Sequence, residues 1–352
     1  MSIKSLPIKK KTASEKDDPT GVSRKRDHID LAFKSQVGTN QLDGRFSYEP
    51  LLAGHPKKGS WGAFEFLGKK MQVPLWVSSM TGGTELAKTI NQNLARSCKD
   101  FGMGMGLGSC RSLLFDDHFL KDFNVRPIIG NDAPLFANLG IAQLENLIDQ
   151  KKESAAEKLV SKLKADGLII HVNPLQEAMQ PEGDFFKRPP IDTIEHFLEK
   201  TDLKIIVKEV GQGMGYESLK RLFGLPLEAV DFAASGGTNF ALLELLRDTD
   251  QKQEAFNAMT HVGHSAEEMV HLTNKIAADC DYELACKQVI ISGGIKNFLD
   301  GYYLTSKCSL PAVYGQASGF LKYAREDYET LAVYVSDQVR GLELAKAFLK
   351  IR

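Results

Sequence analysis

The heptapeptide His171-Val-Asn-Pro-Leu-Gln-Glu177 gathers an imidazole, two carboxamides and a carboxylate directly behind an apolar run, Gly167-Leu-Ile-Ile170. A short apolar run with β-branched members reads as a strand buried on both faces of a parallel sheet, and in α/β folds ligands bind at the carboxyl ends of such strands. Strand alternation aims His171, Asn173 and Gln176 at one space, while Pro174 is expected to hold the turn open and delay any helix. Glu177 offers an oxygen ligand for a hard cation such as Mg²⁺. The same residues also suit a polar loop with a capping role, and the motif by itself leaves both readings standing.

Other strand ends carry different chemistry. Ser235-Gly-Gly-Thr238, Ser292-Gly-Gly-Ile295 and Gly315-Gln-Ala-Ser-Gly319 follow apolar runs in succession. Glycines let backbone amides approach phosphate oxygens, and the last loops of a barrel are a frequent phosphate site, although one Gly-Gly is more often a tight turn. Lys208 ends a strand in Val207-Lys-Glu-Val-Gly211; at a buried strand end it needs an anion or an electron-rich ring, unless it simply pairs with Glu209. Ser78-Ser-Met-Thr-Gly-Gly83, Gly106-Leu-Gly-Ser-Cys-Arg111 and Phe136-Ala-Asn-Leu-Gly140 supply the hydroxyls, amide and glycines that could line the rim of a flat heteroaromatic cofactor. Arg24, Lys25 and His28, with Arg111, could neutralise a diphosphate, though such basic runs are usually solvated faces. His261-Val-Gly-His264 reads as a loop.

The elements that must position these groups follow from the hydrophobic pattern. Strands are expected near 75–78, 103–107, 135–138, 168–171, 204–208, 229–232, 289–292 and 312–314. Helices are expected over 84–101, 144–164, 191–201, 265–279 and 297–306. Strands alternating with helices build right-handed parallel units, and eight units with none left over predict a (β/α)₈ TIM barrel with an amino-terminal extension, ahead of an open doubly wound sheet. A short helix capped by Ser23 and a hairpin from Gly62 to Val73, turning at 68–70, precede it. Residues 1–22 read as a mobile tail, and 23–352 as one domain with an amino-terminal substrate-binding segment and a carboxyl-terminal helix. The connections 181–190 and from Gly236 to the helix near Ser265 are long enough to be lids.

Composition narrows the function. The chain has 352 residues, 43% hydrophobic and 25% charged, with a net charge of −1. That balance gives no electrostatic case for nucleic acid or an anionic membrane. Cys98, Cys110, Cys280, Cys286 and Cys308 lack zinc spacing and suit reduced thiols. No apolar run approaches the roughly 18 residues that span a bilayer, and no signal peptide is evident, so a cytoplasmic protein is expected.

Taken together, these motifs resemble the type 2, flavin-dependent isopentenyl-diphosphate isomerases from about Arg24 to Lys322. The resemblance is carried by Arg-Lys-Arg-Asp-His at 24–28, Met-Thr-Gly-Gly at 80–83, Gly-Ser at 108–109, Phe-Ala-Asn-Leu-Gly at 136–140, His-x-Asn-x-x-Gln-Glu at 171–177, Pro-Glu-Gly-Asp at 181–184, Val-Lys-Glu-Val-Gly at 207–211 and Gly-Gly-Thr-Asn-Phe at 236–240. It implies FMN contacts from Met80, Thr81, Gly82, Ser109, Asn138, Lys208 and Thr238, with the phosphate over Gly293, Gly294, Ala317 and Ser318. Substrate, isopentenyl or dimethylallyl diphosphate, would meet Arg24, Lys25, His28, Ser109, Arg111, His171, Asn173 and Gln176, with Glu177 holding Mg²⁺. Gln176 and Glu244 would manage the proton, and reduced FMN would act as acid/base, with NAD(P)H as reductant. A homotetramer or homo-octamer is implied, working in isoprenoid biosynthesis. Ser235, Cys110, Lys296-Asn297 and the stretch 259–264 depart from the family pattern. The alternatives are another FMN-dependent barrel, such as a 2-hydroxy acid oxidase, and a non-catalytic barrel that binds a phosphorylated ligand. The first needs a His and Arg pair after strand six, where this chain has Ser235–Phe240; the second lacks the polar set at 171–177.

Overall fold

Eight apolar runs become parallel strands: β1 (Leu75–Val77), β2 (Gly104–Gly106), β3 (Leu135–Gly140), β4 (Gly167–His171), β5 (Ile205–Lys208), β6 (Ala229–Asp231), β7 (Val289–Ser292) and β8 (Ala312–Gln316). They hydrogen-bond in sequence order and β8 closes on β1, so the open-sheet alternative is excluded. The computed structural model describes residues 21–81, 85–279 and 281–352; most of the expected tail lies outside them.

The barrel interior is stacked in layers, as the period of two requires. Trp76, Phe136, Ile169, Ile206, Ala229, Ile290 and Val313 form one buried apolar cluster. Burying each of the larger of these side chains contributes roughly 1.5–3 kcal/mol. Two residues further along the same strands stand Ser78, Asn138, His171, Lys208, Asp231, Ser292 and Gly315. A polar ring therefore sits on an apolar floor at the carboxyl-terminal mouth.

The opposite end is plugged by a hairpin, Phe64–Phe66 paired with Lys69–Met71, whose Phe66, Leu67 and Met71 join the apolar cluster. Its turn is the two-residue Leu67-Gly68, with φ of 53° and 71°, rather than the expected 68–70. Two left-handed residues match the right-handed twist of the flanking strands.

Among the described residues, the helices of six residues or more are α1 (Gly21–Leu31), α2 (Glu85–Phe101), α3 (Ile141–Asp149), α4 (Ser154–Leu163), α5 (Pro174–Met179), α6 (Pro190–Leu198), α7 (Tyr216–Phe223), α8 (Phe240–Leu245), α9 (Asp250–Thr260), α10 (Ala266–Ala277), α11 (Phe298–Lys307), α12 (Ser318–Ala324) and α13 (Tyr328–Phe348). Four expectations are corrected. Ser23 lies inside α1, because the helix formers Arg24, Lys25 and Arg26 extend it, with Arg26 and Asp30 paired at i,i+4. The single helix expected over 144–164 is α3 and α4, broken where Lys151 takes φ 55°. The connection after β6 holds α8 and α9, capped by Asn239 and Thr249. Pro174 does not delay a helix: it occupies the first turn of α5, where its missing N–H has no intrahelical partner to lose.

The described chain divides into two units, one up to Ser47 with Arg352, the other Tyr48–Ile351. Within the first, α1 is exposed from Ser23 to Leu31 and Arg45 pairs with Asp43 at 2.7 Å. Among the described residues no helix is long and apolar enough to cross a membrane.

Candidate active site

Register fixes the centre of the mouth. Gly140, His171, Lys208 and Asp231 lie side by side at the ends of β3 to β6. Gly140 has no side chain because a Cβ there would sit 2.8 Å from His171 Nε2 and 2.3 Å from Gln143 Oε1. Asn138 donates to Ser79 Oγ and Leu107 O, both at 3.0 Å, which leaves its carbonyl to accept from His171 Nδ1 at 2.7 Å. This pattern assigns the proton to Nδ1 and leaves Nε2 as an acceptor. His171 is half-buried by surface exposure, yet protein encloses its ring. That enclosure, helped by the Lys208 charge, pushes its pKa down to about 3.

Lys208 is 7% exposed and donates to Glu209 O at 2.7 Å. Burial pulls its pKa down, against the charges of Asp231 and Glu209. The expected pair with Glu209 is thus made through that residue's backbone oxygen. The Glu209 carboxylate instead accepts from the amides of Gly211, Gln212 and Gly213 at 2.6–3.0 Å. Burial raises the Asp231 carboxyl, opposed by the Lys208 charge and by the Ser292 hydroxyl that donates to one oxygen; its other oxygen, buried, has no partner among the described residues. Sequence reading passed over Asp231, although a carboxylate inside Ala-Val-Asp-Phe is the signal that marks it.

Beside Lys208 lies a cavity of about 310 Å³ between the loops after β6, β7 and β8, with Ser78 and Ser79 from the end of β1. Thr238, Gly293, Gly294, Ala317 and Ser318 line it. Gly293 and Gly294 have φ of 88° and 71°, and a Cβ at 293 would fall 2.0 Å from Ala234 O. Among the described residues the buried Ser78 hydroxyl has no partner. A glycine cradle, a buried cation and an orphaned hydroxyl are the groups that an anionic, hydrogen-bonding ligand would complete. Across the mouth, Gly108 meets Thr81 backbone to backbone, since a Cβ there would be 2.5 Å from Thr81 O; this sets Thr81 beside the exposed Ser109. Gly82 lies outside the described residues. Cys110 is buried, its thiol pushed up to about 12 by burial, and it is inert packing behind that loop.

On the far side, α5 presents the rest of the heptapeptide. Asn173 is 2% exposed and donates to Gln176 Oε1 at 3.1 Å and Glu177 Oε1 at 2.8 Å, leaving its own buried Oδ1 without a partner among the described residues. Gln176 Nε2 donates to Glu244 Oε1 at 3.3 Å, which brings the two proton-handling candidates together. Glu177 Oε2 accepts from Asp184 N at 2.8 Å. The Asp184 carboxylate takes Arg111 and Gln143, each at 3.0 Å, so the segment 181–190 is fastened rather than loose. Asp184 with its partner Gln143, and Arg247, which pairs with Glu244, were given no role by sequence reading because only the folded chain brings them to the site. Arg24, Lys25 and His28 lie on α1 in the first unit.

No family model matches the chain. Over 335 residues it is 32% identical to the isopentenyl-diphosphate delta-isomerase of Rickettsia felis, covering 94% of this chain and 93% of that protein. The enzyme of the same name from Rickettsia rickettsii is 33% identical over 314 residues, 88% of each chain. Among solved structures, a mandelate oxidase carrying a monooxide FMN adduct superposes with a TM-score of 0.54 at 12% identity, covering 88% of each chain. A flavocytochrome b2 with sulfite bound gives 0.60 at 15% identity, over 86% of this chain and 72% of that one. These last two are likenesses of fold.

Proposed function

The chain belongs to the isopentenyl-diphosphate delta-isomerase family, and from that premise we propose that it interconverts isopentenyl and dimethylallyl diphosphate by a 1,3-proton shift that requires reduced FMN and Mg²⁺. The observation that carries the reading is the contact of Gln176 with Glu244 at a mouth bordered by a glycine cradle on one side and by Glu177 on the other.

The reaction adds a proton to the terminal alkene carbon and removes one from the carbon next to the diphosphate-bearing methylene. The difficulty is the cation-like charge between those events. When bound, reduced FMN supplies a proton donor and an electron-rich ring for it. Lys208, Asn138, Met80, Thr81, Gly82, Ser109 and Thr238 would hold the flavin, with Gly293, Gly294, Ala317 and Ser318 around its phosphate. The orphaned Ser78 hydroxyl and the cradle closed to any Cβ fit such a group.

Glu177 would bind Mg²⁺ together with substrate oxygens, a set that a single carboxylate suits because Mg²⁺ keeps waters and takes phosphate ligands. Each Glu177 oxygen accepts one hydrogen bond and has a lone pair left, and the unpartnered Asn173 Oδ1 adds an acceptor nearby. Arg24, Lys25, His28, Arg111 and Ser109 would neutralise and orient the diphosphate. An anion beside His171 Nε2 would favour the charged form and so raise the pKa of the imidazole as substrate binds. Gln176 and Glu244 hold and move the proton at the internal carbon; removing the cation's proton there needs a base, and Glu244 is the carboxylate in reach of Gln176. The same reading has NAD(P)H as reductant and a cytoplasmic homotetramer or homo-octamer.

Turnover of isopentenyl diphosphate in D₂O tests the proton shift. Dimethylallyl diphosphate with deuterium in its new methyl group is expected; product that forms without any label would rule out exchange with solvent-derived protons at this site.

A further inference from the structure

Between the diphosphate side and the carbon side of the mouth runs a closed circuit of contacts. Glu177 accepts from Asp184 N; Glu182, two residues back, pairs with Arg247 Nη2 at 3.1 Å; Arg247 Nη1 pairs with Glu244 Oε2; Glu244 Oε1 accepts from Gln176; Gln176 and Glu177 both accept from Asn173. We propose that Arg247 is a positioning residue that ties the 181–190 strap to the Glu244 carboxylate, so that the state of the strap over the diphosphate sets the orientation of the group that handles the proton. The inference rests on the role of Glu244 given above.

The geometry favours Arg247 over a casual surface pair. The Glu244 side chain is 5% exposed, whereas Arg247 is 53% exposed and reaches in from outside. A carboxylate so enclosed needs a partner, and the planar guanidinium can serve two carboxylates at once, which an ammonium does less well. Arg247 orients one oxygen of Glu244 and so leaves the other to Gln176. The strap is anchored at its remaining points by other elements: Asp184 on Arg111 and Gln143, Lys187 and Arg188 on Asp149, and Arg188 on Glu145. Gly183 lets it pass close to α5, since a Cβ there would lie 1.9 Å from Glu177 O. Displacing the strap therefore moves Glu182, and with it the shared guanidinium.

The test uses the full-length protein with Arg247→Gln, Arg247→Lys and Glu244→Gln. Three readouts are taken: hydrogen exchange of 181–190 without substrate, FMN binding, and steady-state turnover. Arg247→Gln is expected to speed exchange in the strap, leave FMN binding unchanged and lower kcat by about 10–100-fold with a smaller change in KM, as a misplacement near 1 Å can do. Arg247→Lys should recover part of kcat. In the Glu244→Gln background, adding Arg247→Gln should lower kcat little further. Unchanged strap exchange and normal kcat in a stably folded Arg247→Gln overturn the proposal. Normal turnover in Glu244→Gln instead overturns the role given to Glu244, and strap exchange in Arg247→Gln then decides the tie by itself.

Discussion

At the scale of single residues, the heptapeptide His171–Glu177 was legible because its chemistry is concentrated in sequence, and Lys208 because a charged group ends an apolar run. Their partners were not. Asp231, Asp184 and Arg247 come from other strands and loops, and Asn138 spends its amide fixing a histidine 33 residues away. The division of labour is testable. Gln176→Ala should keep flavin and lose most turnover, because the residue contacts Glu244 rather than the cradle; Lys208→Ala should lose flavin. Absorbance of the purified variants together with their kcat separates the two, and normal turnover in Gln176→Ala would remove that residue from the chemistry. His171 supplies a pH prediction. Its folded-state pKa lies near 3, below the usual value near 6.5, so between those values the unfolded chain binds more protons than the folded one. Its contribution to stability is therefore complete above about pH 6.5 and is lost as pH falls, by up to roughly 1.4 kcal/mol per unit. Denaturant unfolding from pH 7 to 4 should show a shallower acid loss for His171→Gln than for the parent; equal slopes would mean the imidazole is not held neutral.

At the scale of elements, the strands were readable since a run buried on both faces is apolar throughout, and their ends were found to within a residue or two. Helix ends were harder. Ser265 and Asn297, expected as the first residues of two helices, stand one position outside α10 and α11 and cap them. Pro174 misled because the same locked φ that breaks a helix interior also starts a first turn, and only the backbone on either side decides which. The segment after β6 hid two helices, one of six residues and one whose sides are mostly exposed, so neither carries a strong apolar stripe. The cradle after β7 depends on backbone that only glycine adopts there. Gly293→Ala, with its Cβ driven into Ala234 O, should cost about 1–3 kcal/mol of strain and weaken FMN binding by about tenfold or more. Titration of apo-protein with FMN, alongside the melting temperature, checks this; tight binding in the variant would move the flavin phosphate elsewhere.

At the scale of the whole molecule, a net charge of −1 conceals a strongly organised distribution: an apolar plug at one end of the barrel, an apolar floor above it and a polar ring at the mouth. The fold class could be read from alternation and count, and barrel closure explains why so many strand ends meet at one place. What the sequence could not display was the circuit joining that mouth to the 181–190 strap. The central claim is that this mouth isomerises a prenyl diphosphate with a reduced flavin and without net redox change. Its most direct test is anaerobic incubation of the purified protein with isopentenyl diphosphate, Mg²⁺, FMN and NADPH, with flavin or reductant omitted in parallel. Dimethylallyl diphosphate should accumulate only when both are present, with no stoichiometric loss of NADPH; product formed equally well without either would contradict the account.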